Sequence, residues 1–418
     1  MVQGHSPIPA GAPLRQRPAP AAAGGLVTLL GETFYRIQHA DALPPFLISL
    51  VSSSDHWLYI ASTGGLTAGR VSADQALFPY YTEDKLLESG EHTGSKTILR
   101  VERAGAQWLW EPFSIRAAGH YRVERSLYKN VAGTCLIFEE INWDLELSCR
   151  YAWRPGERFG FVKTTWLRNL SASPAACQVT VLDGLQNLLP AQVSADMQLR
   201  FSCLLDAYKR SELEPRTGLG VFALNATLTD AAQPSESLLA TTVFQTGLEP
   251  DLYLLSSAQL DRFRAGDALA PETETRGVRG AYFVSARLAL PAGAEHTWHL
   301  VADVSQDGAA IARTRRALRG ERAALSAAVE RDLRATADQL RALVARADGV
   351  QLTASALRTA RHFANVMFNV MRGGLFEEAD WVRRADFVEF VRIRNRALLA
   401  AQAPFLEALP ERLPLAEL

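Results

Sequence analysis

Between about Gly25 and Val304 apolar and polar positions alternate with a period of two, in runs rich in Val, Ile, Thr and aromatics. In Ala281 to Leu290, the side chains of Tyr282, Val284, Ala286, Leu288 and Leu290 share one face, while Ser285 and Arg287 point the other way. Trp298, Leu300, Ala302 and Val304 repeat the pattern, as do Val162, Thr164 and Trp166. Turn signals such as Arg154-Pro155-Gly156-Glu157 and Pro291-Ala292-Gly293 separate the runs. About fifteen strands are predicted, more than one open sheet holds, so two packed antiparallel sheets are expected.

Near Ser305 the period changes. Ile311, Leu318, Leu325, Val329, Leu333, Leu340 and Val344 fall on one stripe of a long helix, or of two helices broken at Gly320. A further helix over 355–372 is predicted, capped by Thr353 or Ser355 and ended by Gly373-Gly374. On it Leu357, Ala360, Ala364, Met367, Phe368 and Met371 form one apolar stripe, and Phe363, Val366 and Val370 form another. A polar seam of Arg358, His362, Asn365, Asn369 and Arg372 runs between them. A helix apolar on two sides needs two partners: the β region, and then the final helix, a second subunit or a further domain. His362, Asn365, Val366, Asn369 and Val370 are therefore the candidate interface residues. Ala385 to Ala401 reads as an Arg-rich helix, and the tail from Pro404 carries three prolines and no closing element. The C-terminus reads as an interruption. At the other end, proline, alanine and glycine fill fifteen of the first 25 positions, a composition that builds no packed face. The expected organisation is a flexible leader over 1–25, a two-sheet β-sandwich over 26–304 and a helical linker or start of a helical domain over 305–418. The fold class is thus mainly β, a large antiparallel sandwich followed by C-terminal helices.

Composition agrees with a folded globular chain: 418 residues, 48% hydrophobic and 21% charged. A formal net charge of −1 offers no general attraction for nucleic acid or for an anionic membrane surface, so neither is expected as a partner. Five lysines against 39 arginines is read as coding bias. Cys135, Cys149, Cys177 and Cys203 lack the close pairing of zinc or redox sites, so buried free thiols in a reducing compartment are expected. No apolar run has the length of a membrane span, and the proline-rich start lacks a signal-peptide core, so a cytoplasmic location is expected. No metal or cofactor pattern emerges.

Gly90-Glu91-His92-Thr93-Gly94-Ser95-Lys96-Thr97 superficially looks like a phosphate loop, but Ser95 separates Gly94 from Lys96, and Ile98, Leu99 and Val101 read as strand. His296 and His299, three apart on a strand, point to opposite faces and read as surface residues. The neighbouring carboxylates Glu139-Glu140 and Glu83-Asp84 likewise diverge, so neither pair makes a two-carboxylate glycosidase site. The sharper signal is aromatic. Trp57, Tyr59, Phe78, Tyr80, Tyr81, Trp108, Trp110 and others in the first half sit among Arg, Asp and Glu, as in sugar-contacting surfaces, where pyranose faces stack on rings and hydroxyls meet planar polar groups. Arg70, Tyr80, Tyr81, Glu83, Asp84 and Lys85, clustered in an expected loop, are the candidate substrate-binding residues.

Three segments in order, Ser54-Asp55-His56-Trp57, Gly64-Gly65-Leu66-Thr67-Ala68-Gly69-Arg70 and Phe78-Pro79-Tyr80-Tyr81-Thr82-Glu83-Asp84, resemble the opening of glycoside phosphorylases of the cellobiose and chitobiose type. Val162 to Leu182, with Asn169-Leu170-Ser171 at a turn, is similar to a later passage of that family. The resemblance implies a galactose mutarotase-like supersandwich, then linker helices, then a catalytic (α/α) barrel that this chain lacks. Asn142-Trp143-Asp144 reverses the barrel's acidic motif and lies in a strand context, so no catalytic residue carries over. The implied role is sugar binding or dimerisation, with an oligosaccharide ligand and with a homo-oligomer or a missing helical domain as partner. Two alternatives stay open: a mutarotase-like epimerase or lyase using a histidine (His120 or His299) with a carboxylate, and a non-catalytic assembly module.

Overall fold

The computed structural model describes residues 20–103, 105–173, 177–226, 237–375, 381–414 and 417. Its main sheet has eleven antiparallel strands in the spatial order Ala23–Leu29, Glu32–Gln38, Val123–Asn130, Leu136–Asn142, Leu147–Gly156, Gly160–Asn169, Glu295–Gln306, Ala240–Thr246, Leu219–Leu224, Lys209–Glu214 and Glu274–Arg276. Two smaller sheets share the core that packs on its inner face. One holds Leu252–Leu254, Gly280–Leu290, Cys177–Leu188, Gly94–Arg103 and Ala106–Trp110; the other holds Leu47–Leu50, His56–Ala61, Leu66–Arg70 and Ala76–Phe78. The chain is mainly β, an antiparallel sandwich with C-terminal helices.

The alternation read from the sequence sets the faces. Trp298, Leu300, Ala302 and Val304 all point into the sandwich, with Tyr282, Val284 and Ala286 from the opposing sheet in the same core. Trp153 meets Phe78 edge to face at 6.1 Å, tying the large sheet to the four-stranded one. Val162, Thr164 and Trp166 occupy the outer face instead. Their neighbours Phe161, Lys163, Thr165 and Leu167 are buried, and Phe161 and Leu167 belong to the sandwich core, where alternation places Lys163 and Thr165 beside them.

Helix Arg322–Arg346 crosses the outer face of the large sheet. Leu325, Val329 and Leu333 pack on Phe159, Val162, Phe244 and Val301, while Leu340 and Val344 reach Val51 and Ala132. Its polar side fixes the turn between two strands: Asp332 accepts the Phe159 N–H at 3.1 Å, and Thr336 Oγ1 accepts the Glu157 N–H at 3.0 Å. Helix Gly308–Leu318 precedes it, and the break falls at Gly320 as the sequence predicts. Helix Ala356–Gly373 follows, with Ser355 Oγ accepting the Arg358 N–H and Gly374 at φ 76° closing the end.

Several expectations are corrected. The first strand starts at Ala23, inside the stretch read as a leader; residues 1–19 lie outside the described residues. The β region, read as running to about Val304, continues to Gln306. Twenty strands are described before residue 307, because three-residue pieces such as Ala76–Phe78 are too short to show a period. Two short strands, Trp381–Arg383 and Arg412–Pro414, pair inside the region read as helical linker. Glu83–Glu88 is a helix, not a loop. Cys203 is exposed, whereas Cys135, Cys149 and Cys177 are buried, and all four are free thiols.

Candidate functional site

On strand His56–Ala61, Leu58 and Ile60 enter the core, which leaves Trp57 and Tyr59 on the outer face of the four-stranded sheet. Trp57 pairs in register with Gly69 on the next strand. A Cβ at Gly69 would collide with the Trp57 indole, so the glycine is what lets the ring lie across the sheet. Trp57 Nε1 donates to the Ser72 carbonyl at 3.1 Å, which fixes the ring's orientation. Tyr80 packs edge to face on it at 5.6 Å, and Tyr59 lies tilted by 32° with its centroid 6.4 Å away. Tyr80 is 52% exposed and Tyr59 38%. The three rings form a platform, and its indole, Trp57, packs on the apolar cluster of Ala76, Leu189, Val193 and Leu205.

The other residues singled out from the sequence go elsewhere. Arg70 is a clip: Nε bonds Asp303 Oδ1 at 2.8 Å on a central strand of the large sheet, and Nη1 bonds Asp55 Oδ1 at 2.7 Å. Burial raises the Asp303 carboxyl despite Arg70 beside it, while Asp55 is partly desolvated yet held low by the same guanidinium. The Tyr81 hydroxyl accepts from Asn187 Nδ2 at 3.4 Å. Asp84 accepts from Thr82 Oγ1 at 2.5 Å at the start of helix Glu83–Glu88, and Lys85 is exposed on it. The Glu83 side chain lies outside the described residues. Of the five whose side chains are described, only Tyr80 joins the platform; Trp57 and Tyr59 are not among the residues singled out, because the register that sets Gly69 opposite the indole is not written in their i, i+2 spacing.

The structure does bring one histidine and one carboxylate together. His299, read as a surface residue, is buried beneath the long helix, where its Nδ1 lies 2.9 Å from Thr164 Oγ1 and its Nε2 lies 3.8 Å from Glu330. Burial pushes the imidazole down to about 4, so it is neutral at pH 7. Arg154 grips both Glu330 oxygens at 2.6 and 2.9 Å, holding that carboxylate ionised. This group ties helix to sheet. His296 bonds the Gly247 carbonyl on the other face, and His120 is exposed in a loop. The adjacent carboxylates are structural too. Glu140 is buried with Trp110, Phe113 and Arg125 as partners, and Glu139 faces out to Tyr128 and Arg150.

On helix Ala356–Gly373 the two predicted stripes merge at Phe363 and Met367, both buried against Leu340 and Val344. Four residues apart, they sit only ~40° apart on the wheel. Val366 packs on the same cluster, His362 Nε2 meets the Asp348 carbonyl at 2.8 Å, and Asn365 and Asn369 are exposed; Val370 is half-buried. Leu357, Phe368 and Met371 stay exposed beside a groove of about 320 Å3 whose far wall includes Tyr35, Phe46 and Leu127. Among the described residues no cluster of His, Cys, Asp and Glu is arranged for a metal ion, and no helix is long and apolar enough to cross a membrane.

No family model and no curated protein matches the sequence. Several solved structures align loosely with the chain. A bacterial glucoamylase complexed with acarbose shares 9% identity at a TM-score of 0.34, over 71% of this chain and 38% of that one. A human-microbiome protein assigned as a kojibiose phosphorylase shares 10% at 0.31, over 54% and 26%. A Klebsiella pneumoniae protein assigned as an aldose 1-epimerase shares 9% at 0.29, over 72% and 92%. The chain thus spans under two fifths of the glucoamylase and about a quarter of the phosphorylase. Superpositions this loose do not establish a shared activity.

Proposed function

We propose that this chain is a carbohydrate-binding β-sandwich with its attached linker helices, belonging to a glycoside phosphorylase-like protein of cytoplasmic carbohydrate metabolism and not catalytic by itself. The observation that carries the reading is the platform of Trp57, Tyr59 and Tyr80, two exposed tyrosine rings flanking a half-buried indole that is seated on a glycine. Rigid aromatic surface of this kind suits stacking against the C–H faces of a neutral sugar, and it costs little ordering on binding. The resemblance of Ser54–Arg70 and Phe78–Asp84 to the phosphorylase opening, and four unpaired thiols suited to a reducing compartment, support the same assignment.

Calorimetric titration of the whole chain with cello-, chito- and malto-oligosaccharides tests it. At least one series is expected to bind with a Kd near or below about 1 mM, and Trp57→Ala or Tyr80→Ala to weaken it about tenfold, or about 1.4 kcal/mol. Absence of saturable binding to all three would reject the proposal.

The exposed Leu357, Phe368 and Met371 favour a second reading, self-association through helix Ala356–Gly373. Light scattering of Phe368→Asp/Met371→Asp tests this, since a dimer held by that face becomes a monomer. Val366 is unsuitable for the purpose because it is already packed within the chain.

A further inference from the structure

Helix Gly308–Leu318 lies on the outer face of the large sheet over the strands Ala240–Thr246 and Glu295–Gln306. Ala310, Arg313, Thr314, Ala317 and Leu318 share one stripe of that helix and look toward the sheet. An amphipathic surface helix usually fills such positions with large apolar side chains. Two alanines and a threonine do not fill the gap, and a cavity of about 240 Å3 is left between helix and sheet.

The lining is divided by chemistry. Phe159, Phe244, Val301 and Leu325 form an apolar floor. Arg158 and Arg313 supply guanidinium groups, with the hydroxyls of Thr242 and Thr314 between helix and strand. Among the described residues neither the Arg313 nor the Arg158 guanidinium has a hydrogen bond or ion pair, and that of Arg158 lies over the Phe159 ring, 4.9 Å from its centroid. Elsewhere in the molecule Arg70, Arg150, Arg154 and Arg264 each hold a carboxylate within 3 Å. Asp303 also borders the cavity, yet Arg70 and Gln306 already hold both its oxygens. Asp332 is likewise engaged by the backbone N–H groups of Arg158 and Phe159. The ionic groups left without a partner at the cavity are therefore the guanidinium groups of Arg158 and Arg313.

We infer that this cavity is a binding site for a small amphiphilic anion: a phosphate monoester or carboxylate held by Arg158 and Arg313, carrying an apolar body that seats on Phe159, Phe244 and Val301. Planar guanidinium groups pair with such oxyanions through two parallel N–H bonds, and the threonine hydroxyls add further donors. The size follows from the volume. An apolar cavity of ~150 Å3 takes up a benzene molecule, so the space here holds one ring with its charged head. The site is on a different sheet from the aromatic platform and does not depend on the sugar reading.

Calorimetry on the full chain, with phenyl phosphate, benzoate, phenol and inorganic phosphate as probes, tests the inference. Phenyl phosphate or benzoate is expected to bind one to one, with phenol and inorganic phosphate about tenfold weaker or worse, since each supplies only half of the recognition. A preference for phenyl phosphate identifies the phosphate monoester as the ligand class, and a preference for benzoate identifies the carboxylate. Arg158→Ala and Arg313→Ala are each expected to weaken binding about tenfold or more. Ala310→Leu, which leaves both charges in place and fills the cavity, is expected to do the same. Thermal melts check that each variant stays folded, and the two exposed arginines allow the test even if Ala310→Leu does not. No saturable binding of either organic anion, or binding unchanged in both arginine variants, overturns the assignment.

Discussion

Lys163 Nζ lies 2.5 Å from Asp183 Oδ1 in the middle of the sandwich, where neither side chain has any exposed surface. Lys163 belongs to the eleven-stranded sheet and Asp183 to the five-stranded one, so the pair spans the core. Asp183 also accepts from Thr97 Oγ1 at 2.6 Å and Trp298 Nε1 at 2.7 Å, and the ammonium sits over the Tyr151 ring at 5.5 Å. Removing one partner leaves a buried charge without its counter-ion.

Lys163→Met is accordingly expected to destabilise the fold by about 3–5 kcal/mol. Lys163→Met/Asp183→Leu should be less damaging than the sum of its singles, because no uncompensated charge remains; only the Thr97 and Trp298 donors lose a partner. Urea unfolding of the four proteins of this cycle gives the coupling directly. Additive effects would show that the pair does not act as a unit.

Stability should fall with acid before the carboxylates titrate. His299 and His56 both have ring pKa values pushed by burial from 6.5 down to about 4. Between those values the unfolded chain binds the protons and the folded one does not, so stability is complete above about 6.5 and declines as pH falls toward 4. Each histidine is expected to contribute a loss of about 2 kcal/mol between pH 7.5 and 5.0. Urea midpoints at the two pH values, for the wild type and for His299→Asn, check this. The variant should show about half the pH dependence, and an unchanged dependence would count against burial of a neutral His299.

Arg70 separates two readings of the residues that the sequence brought forward. As the clip between Asp303 and Asp55 it should contribute to stability, and Arg70→Ala is expected to cost about 1–3 kcal/mol by stranding the buried Asp303 carboxylate. Oligosaccharide affinity should be untouched in the folded variant. Loss of affinity with an unchanged unfolding midpoint would instead restore Arg70 to a sugar site.

Most of the architecture was legible because it is local. The period-two runs, the break at Gly320, the Ser355 cap and the stop at Gly373-Gly374 are each written in a few neighbouring residues. What the sequence hid depends on partners far along the chain. Lys163 sits in the inward register of its strand, with Phe161 and Leu167 on either side, and only Asp183 in another sheet makes that position tenable. His299 read as exposed because the helix that covers it begins more than twenty residues later. In the candidate site, aromatic density points to Trp57, Tyr59 and Tyr80 alike, whereas their meeting in one platform depends on the hairpin register that sets Gly69 opposite the indole.

That register makes Gly69 the sharpest probe of the platform. A side chain there meets the Trp57 ring on one side and the Gln75 carbonyl on the other, so Gly69→Ala must lift the indole or bend the strand. Overpacking of this kind is expected to cost about 1–3 kcal/mol. If a flat, seated Trp57 is what receives a sugar, Gly69→Ala should also weaken oligosaccharide binding about as much as Trp57→Ala, although it removes no ring. The decisive measurement is calorimetric affinity at a temperature where the melt shows Gly69→Ala still folded. Affinity equal to wild type would mean that the orientation of Trp57 does not matter, and the platform would lose its claim to be the binding surface.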